Sequence, residues 1–145
     1  MYLYLQGLGS LCFLFAMARE DERSHRILNR QILRWTVWTF FASLLWRRED
    51  LLLRLGEGAG LFLLLALFSM LARGAFGMGD AKLVSVAVFA FGGTVAFTIF
   101  FLSLVFTLLR GGFLRLSGSR VRSLPLASQF LLATLLTLFS LMLPS

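Results

Sequence analysis

Long apolar segments separated by short charged ones make up almost the whole of this chain. The apolar spans cover residues 2–18, 31–46, 56–72, 83–91, 94–110 and 125–143. A bilayer-crossing helix needs about 20 mostly apolar residues, whereas a soluble domain distributes its charges along amphipathic helices. No span alternates like a barrel strand, and unpaired backbone groups are costly in hydrocarbon. The pattern therefore predicts an all-α, polytopic membrane helix bundle, with residues 1–145 forming one domain.

The stretch from 83 to 109 fits either one long tilted helix or two shorter helices separated at Gly92-Gly93. Arg-rich connections lie on the cytoplasmic side of a membrane protein. If the connection containing Arg19 through Arg34 is cytoplasmic, the connection at 73–82 is cytoplasmic too, two crossings later. One helix over 83–109 would place the next group of Arg residues outside, whereas two helices place them on the cytoplasmic side. These residues are Arg110, Arg115, Arg120 and Arg122. We therefore predict about six transmembrane helices with both termini outside, an arrangement in which the external 47–54 connection fits the rule least well.

The charge of the chain supports membrane orientation over nucleic-acid binding. The net charge is +7 and 59% of the residues are hydrophobic, but the Arg residues cluster at the ends of apolar spans instead of forming one stripe. The first span ends in Ala16-Met17-Ala18, which is similar to a signal-peptidase site. Its positive charges follow the span, whereas a cleaved signal carries them in front, so we expect the segment to stay attached. Cys12 is the single cysteine, which excludes an internal disulfide and a paired-cysteine zinc site.

Few polar side chains are available for chemistry. The acidic residues are Glu20, Asp21, Glu22, Glu49, Asp50, Glu57 and Asp80. In the predicted topology Asp21 and Asp80 belong to separate cytoplasmic connections, so two carboxylates can meet on that side. His25, the only histidine, directly follows Ser24, and we interpret it as a solvated loop residue. One His, one Cys and scattered acids form no ligand set, and the chain lacks a phosphate-binding Gly-rich loop, so we predict no metal and no cofactor.

The segment Gly77-Met78-Gly79-Asp80-Ala81-Lys82-Leu83 opens the fourth apolar span. Its glycines permit backbone conformations and close approaches that other residues do not, and they place Asp80 at the start of a helix. Taken alone, Gly-x-Gly-Asp is equally consistent with a flexible turn that carries a solvated Asp.

Read together with the first connection, this segment resembles the type IV prepilin peptidases, membrane aspartic endopeptidases of the Gly-x-Gly-Asp class. That family carries Gly-x-Gly-Asp-x-Lys-Leu before its fourth helix, and residues 77–83 match every fixed position. Its first catalytic Asp lies just after the first helix, in a stretch resembling Asp-x-Arg-x-x-x-Ile-Pro-Asn. The matching residues here are Asp21, Arg23, Ile27 and Asn29, with Leu28 in place of the proline. Leu124-Pro125-Leu126-Ala127 is similar to the start of the family's last helix.

The resemblance implies that Asp21 and Asp80 are the catalytic pair. It implies substrate-binding or structural roles for Gly77, Gly79, Lys82, Arg23 and Asn29. It also implies a multi-pass protein of the cytoplasmic membrane, with its active site facing the cytoplasm. The expected partners are the lipid bilayer and prepilin-like membrane proteins of type IV pilus or secretion systems, whose leaders are cut after a glycine; no nucleic acid is expected. The chain lacks the cysteine-bearing insertion of larger members and resembles the short, peptidase-only members.

Two neighbouring carboxylates share one proton near neutral pH, because both cannot ionise easily. The ionised member takes a proton from the attacking water, and the protonated member hydrogen-bonds to the scissile carbonyl oxygen. The sequence leaves open whether Asp21 or Asp80 holds this proton.

The sequence leaves two other functions open. One is a non-catalytic bundle, such as an inactive peptidase relative, a small transporter or an assembly partner, for which Leu28 is the best argument; the other is a basic adaptor that binds anionic lipid through the 110–124 loop.

Overall fold

The structure is a computed structural model that describes residues 2–24, 29–71, 77–117 and 126–142. These ranges form six helices and contain no strand, which confirms the all-α prediction for the described part of the chain. The helices are α1 (Tyr2–Ser24), α2 (Asn29–Trp46), α3 (Leu51–Leu71), α4 (Met78–Phe91), α5 (Gly93–Leu116) and α6 (Leu126–Met142). Several residues that the sequence analysis singled out lie outside the described ranges: His25, Ile27, Leu28, Arg120, Arg122, Leu124 and Pro125.

Four helices extend by five or six residues beyond the apolar spans that predicted them. α1 continues to Ser24, α3 begins at Leu51, α4 begins at Met78, and α5 continues to Leu116. The prediction that Asp21, Arg54 and Arg115 lie in connections was therefore wrong, since all three lie within helices. An apolar span marks only the part of a helix that suits hydrocarbon, and Arg and Glu are good helix formers that let the helix continue past it.

The predicted break at Gly92-Gly93 is confirmed. α4 ends at Phe91, Gly92 adopts a φ of 86°, and α5 begins at Gly93. A positive φ is costly for residues that carry a Cβ, so glycine can separate the two helices without a longer loop. A Cβ at Gly92 would lie 3.6 Å from guanidinium nitrogens of Arg54, which places that cation at the C-terminal end of α4. The helix dipole favours a positive charge at this end.

α4 lies at the centre of the bundle. Every residue from Leu83 to Phe91 is buried, and the helix packs against the other five. Gly58 of α3 allows a close approach, because a Cβ there would lie 3.0 Å from the carbonyl oxygen of Ser85 and 3.2 Å from Cβ of Phe89. With 14 residues, α4 spans about 21 Å, which is shorter than a hydrocarbon core. Its first turns, with Asp80 and Lys82, lie beside the start of α2, because Lys82 hydrogen-bonds to Asn29.

Buried polar contacts hold α1 against α2. The Gln6 side-chain amide donates a 3.0 Å hydrogen bond to the Thr39 hydroxyl, and the Trp35 indole donates a 2.9 Å bond to the Ser10 hydroxyl. A buried polar group needs such a partner, so each pair fixes the register of the two helices. This register sets where the C-terminal end of α1 lies relative to the start of α2.

Two of the described helices, α3 and α5, are long and apolar enough to cross a membrane. Only 6% of the most apolar window of α3 and 11% of that of α5 are buried inside the protein. A soluble core helix would be mostly covered by protein, whereas apolar surface on this scale needs another apolar environment. The two helices therefore indicate association with a membrane. Six crossings and the orientation of the termini stay predictions.

Candidate active site

Asp21 lies in the last turn of α1, where its side chain is buried. Only 5% of the residue is exposed. Its Oδ2 accepts a 3.0 Å hydrogen bond from the backbone N–H of Ala127, the second residue of α6. The first amides of a helix have no partner within that helix, and the positive end of the helix dipole favours an anion there. The start of α6 thus stabilises the negative charge of Asp21, which the dipole of α1 disfavours at the C-terminal end of that helix.

Asp80 lies in the first turn of α4, as the sequence predicted for a residue at a helix start. Gly77 is the N-cap of that helix, with extended backbone dihedrals and no side chain to cap it. A Cβ at Gly77 would lie 2.9 Å from Oδ2 of Asp80, which is closer than real Cβ atoms approach other atoms. A methyl group at Gly77 would therefore displace the Asp80 carboxyl group, whereas the extended backbone of Gly77 is accessible to other residues.

The surroundings of Asp80 favour its protonated form. Asp80 precedes the apolar span at 83–91, and burial together with the negative charge of Asp21 raises its pKa from 3.8 to about 6. Burial is the larger cause, because a partly desolvated carboxylate loses hydration. The effect of Asp21 requires that the two carboxyl groups lie close enough to interact. The last turn of α1 and the first turn of α4 thus place the two carboxyl groups within electrostatic range of each other.

The remaining motif residues lie around this site in different ways. The Lys82 ammonium donates a 2.9 Å hydrogen bond to Oδ1 of Asn29, the first residue of α2, and so connects the starts of α2 and α4. Gly79 is half-buried beside Asp80, whereas Arg23 is exposed in the last turn of α1. Lys82 and Asn29 are therefore linked directly, and no contact among the described residues brings Arg23 into the site.

Two interactions near Asp21 were missed by the sequence analysis. One is the N–H of Ala127, a backbone group whose role no side-chain pattern reveals, although Pro125 nearby is a common signal for a helix start. The other is Arg110, whose Nη1 lies 3.9 Å from Oε1 of Glu22 and 3.5 Å from the hydroxyl of Ser128. Arg110 of α5 thus contacts the residues that directly follow Asp21 and Ala127, and it joins three helices at the edge of the site.

The chemistry available at this site is that of two carboxyl groups. Among the side chains that the structure describes, no three His, Cys, Asp or Glu residues are grouped so that they could hold a metal ion. In a pair of carboxyl groups of which one is protonated and the other ionised, the first can donate a proton and the second can accept one. This arrangement suits acid–base activation of a water molecule.

Comparison with known families agrees with the two motifs. A family model described as the type IV leader peptidase family matches residues 8–112, from α1 through most of α5, and this range contains both Asp21 and Asp80. Searches of curated proteins and of solved structures found no match. Because the family match covers well over half of the sequence, the chain belongs to the type IV leader peptidase family.

Proposed function

We propose that this protein is an aspartic endopeptidase that removes the leader peptide of type IV prepilin-like proteins, with Asp21 and Asp80 as its catalytic pair. One observation carries the proposal. The charge of Asp21 in the last turn of α1 contributes to the raised pKa of Asp80 in the first turn of α4, so aspartates from two motifs far apart in the sequence lie within electrostatic range of each other. Membership of the leader peptidase family supports a peptidase in general, and the carboxyl pair supports the aspartic mechanism.

In this mechanism one carboxyl group acts as the base and the other as the acid. Asp21 is the ionised member in this proposal, because the Ala127 N–H donates a hydrogen bond that stabilises its negative charge. Asp21 takes a proton from a water molecule as the water attacks the scissile carbonyl carbon. Asp80 holds the proton, donates it in a hydrogen bond to the carbonyl oxygen, and so stabilises the negative charge that develops there.

The proposed place of reaction is the cytoplasmic boundary of the membrane. Asp80 lies in the first turn of α4, whose later turns are apolar and buried, and α3 and α5 carry outward-facing apolar surfaces. A site at this height is open to water for hydrolysis, while the adjoining helices can contact the apolar part of a membrane-anchored substrate. The proposed substrates are therefore membrane proteins cut just outside the hydrocarbon, and the lipid bilayer is the second partner.

Co-expression with a prepilin-like protein from the same genome tests the proposal. Asp21→Asn and Asp80→Asn should each reduce leader removal by about 10²–10⁴-fold, because each variant removes one member of the acid–base pair. Asp50→Asn is the matched control, since Asp50 is an exposed aspartate between α2 and α3 and should retain full processing. Processing that persists in either dyad variant, measured by the shift in substrate mass, would exclude the assignment.

A further inference from the structure

A pocket of about 410 Å³ lies between α1 and α5, above α6. It exists because α1 and α5 each pack on α6 and, over the described residues, touch one another only slightly. Its lining includes Glu22 and Ser128, the residues that directly follow Asp21 and Ala127. Neither aspartate of the candidate active site lines it. The pocket is therefore a separate cavity, located where the end of α1 meets the start of α6.

The polar and apolar parts of the lining are separated along the helices. On α1, Phe15 comes before Arg19, and on α6, Ser128 comes before Leu132. α1 and α6 run in opposite directions, because the end of α1 is hydrogen-bonded to the start of α6 and the two helices pack along each other. Both helices therefore place their polar residues at one end of the pocket and their apolar residues at the other.

The polar end of the pocket carries a net positive charge. Arg19 and Arg110 contribute two guanidinium groups, whereas Glu22 contributes a single carboxylate. Arg110 is held by long contacts, at 3.9 Å from Glu22 and 3.5 Å from the Ser128 hydroxyl. Arg19 is exposed and has no hydrogen bond or ion pair with another residue in the described part of the chain. A guanidinium group has five N–H donors in a planar fork that matches phosphate, so both arginines have donors for an anionic group.

The pocket lies where apolar sequence gives way to charged sequence. Arg19 directly follows the first apolar span, Arg110 is the last residue of the fifth, and Ser128 lies near the start of the sixth. In a membrane protein this boundary lies near the lipid headgroups, and basic pockets between helices at that level bind anionic headgroups. Towards the other end, Phe15 and Leu132 are 61% and 50% exposed, so they present apolar surface to the hydrocarbon.

We propose that this pocket binds an anionic phospholipid, with its phosphate at Arg19 and Arg110 and an acyl chain along Phe15 and Leu132. A soluble phosphate would use only the polar end. A zwitterionic lipid fits less well, because its ammonium group adds a positive charge beside two arginines. The inference goes beyond the proposed function, since lipid binding requires association with a membrane and does not require catalysis.

The lipid selectivity of the purified protein tests this proposal. Native mass spectrometry in a nonionic detergent measures the affinity for phosphatidylglycerol, which should exceed that for phosphatidylcholine. Arg19→Gln and Arg110→Gln should each reduce the affinity for phosphatidylglycerol about fivefold, equivalent to about 1 kcal/mol. Arg115→Gln is the matched control, because Arg115 is an exposed arginine of α5 outside the pocket lining. This control removes the same charge and should keep the wild-type affinity.

Thermal unfolding supplies a second readout that tolerates a less stable variant. A ligand of the folded state raises Tm, and each variant is compared with itself in the presence and absence of phosphatidylglycerol. The increase should be present in the wild type and in Arg115→Gln and smaller in Arg19→Gln and Arg110→Gln. Glycerol 3-phosphate, which carries the phosphate without acyl chains, should give no increase at the same concentration.

Four results would overturn the proposal. They are equal affinity of the wild type for the two lipids, unchanged affinity in Arg19→Gln or Arg110→Gln, an equal loss in Arg115→Gln, and an increase in Tm with glycerol 3-phosphate that equals the increase with lipid. The third result would show that the positive charge acts diffusely and that the pocket has no part in binding. The fourth would show a site for soluble phosphate.

Discussion

The last turn of α1 and the first turn of α4 present the same side chain in opposite settings. Asp21 is almost fully buried at the unfavourable end of its helix, yet it receives a hydrogen bond from the start of α6. Asp80 lies at the favourable end of its helix, but it is partly desolvated and faces the charge of Asp21. The comparison shows that helix-end position alone does not decide which carboxyl group is charged. In the proposed mechanism the hydrogen bond from the Ala127 N–H favours the ionised form of Asp21, so Asp21 is the base and Asp80 the acid.

Among variants that keep both carboxyl groups, the largest expected effect comes from displacing one member of the pair. Gly77→Ala would place a methyl group 2.9 Å from Oδ2 of Asp80, so the carboxyl group must move away from its present position. A displacement of about 1 Å in a catalytic group can reduce activity about 100-fold, and we expect a loss of kcat of that order. The backbone dihedrals of Gly77 are accessible to alanine, so the fold should persist.

Gly60→Ala is the matched control for Gly77→Ala. Gly60 is an exposed helical glycine, and a Cβ there meets nothing within 4 Å. Its processing activity should equal that of the wild type. Full activity of Gly77→Ala would show that the close contact with Asp80 has no part in catalysis.

The next effect is a dependence on pH. Asp80 must hold its proton to act as the acid, and its pKa of about 6 means that it loses this proton as the pH rises through 6. Above this pH, kcat/KM should therefore fall about tenfold for each pH unit. The pKa fitted to the profile describes the two interacting carboxyl groups together. The measurement is kcat/KM between pH 5 and 9 on a soluble peptide substrate. A profile that rises over this range would assign the acid to another group.

The smallest effect concerns stability. The folded-state pKa of Asp80 lies above the unfolded value of 3.8, so its stabilising contribution is fully present below pH 3.8 and is lost as the pH rises through about 6. Asparagine does not ionise, so Asp80→Asn avoids the cost of burying a charge at high pH. The variant should be more stable than the wild type by about 1–3 kcal/mol at pH 8, an amount reduced by the partial exposure of the side chain. Unfolding in detergent at pH 8 measures the difference. An Asp80→Asn variant no more stable than Asp50→Asn would contradict the proposed cost of burying Asp80.

The sequence predicted those features that depend on local chemistry. The Gly92-Gly93 pair marked the end of α4, because a helix break with positive φ needs glycine, and the glycines before Asp80 marked a helix start. The membrane character followed from the length of the apolar spans. Each of these features depends on residues that are neighbours along the chain.

Features that depend on distant contacts were not predictable in the same way. The bond from Ala127 to Asp21 joins residues 106 positions apart, and a backbone N–H leaves no mark in the side-chain pattern. Likewise, α3 and α4 are both strongly apolar, yet α3 is largely exposed and α4 is buried. Composition does not distinguish surface covered by lipid from surface covered by protein, so the central position of α4 required the packed structure.

A titration of Asp80 in the wild type and in Asp21→Asn tests the central claim most directly. Carbon-13 NMR of labelled aspartate in detergent micelles reports the carboxyl pKa, and the Asp80 signal is assigned by its absence from Asp80→Asn. We predict a pKa of about 6 in the wild type and a lower value, still above 3.8, in Asp21→Asn, because the charge of Asp21 is removed while the burial of Asp80 persists. A wild-type pKa near 3.8, or one that does not change in Asp21→Asn, would contradict the coupled pair.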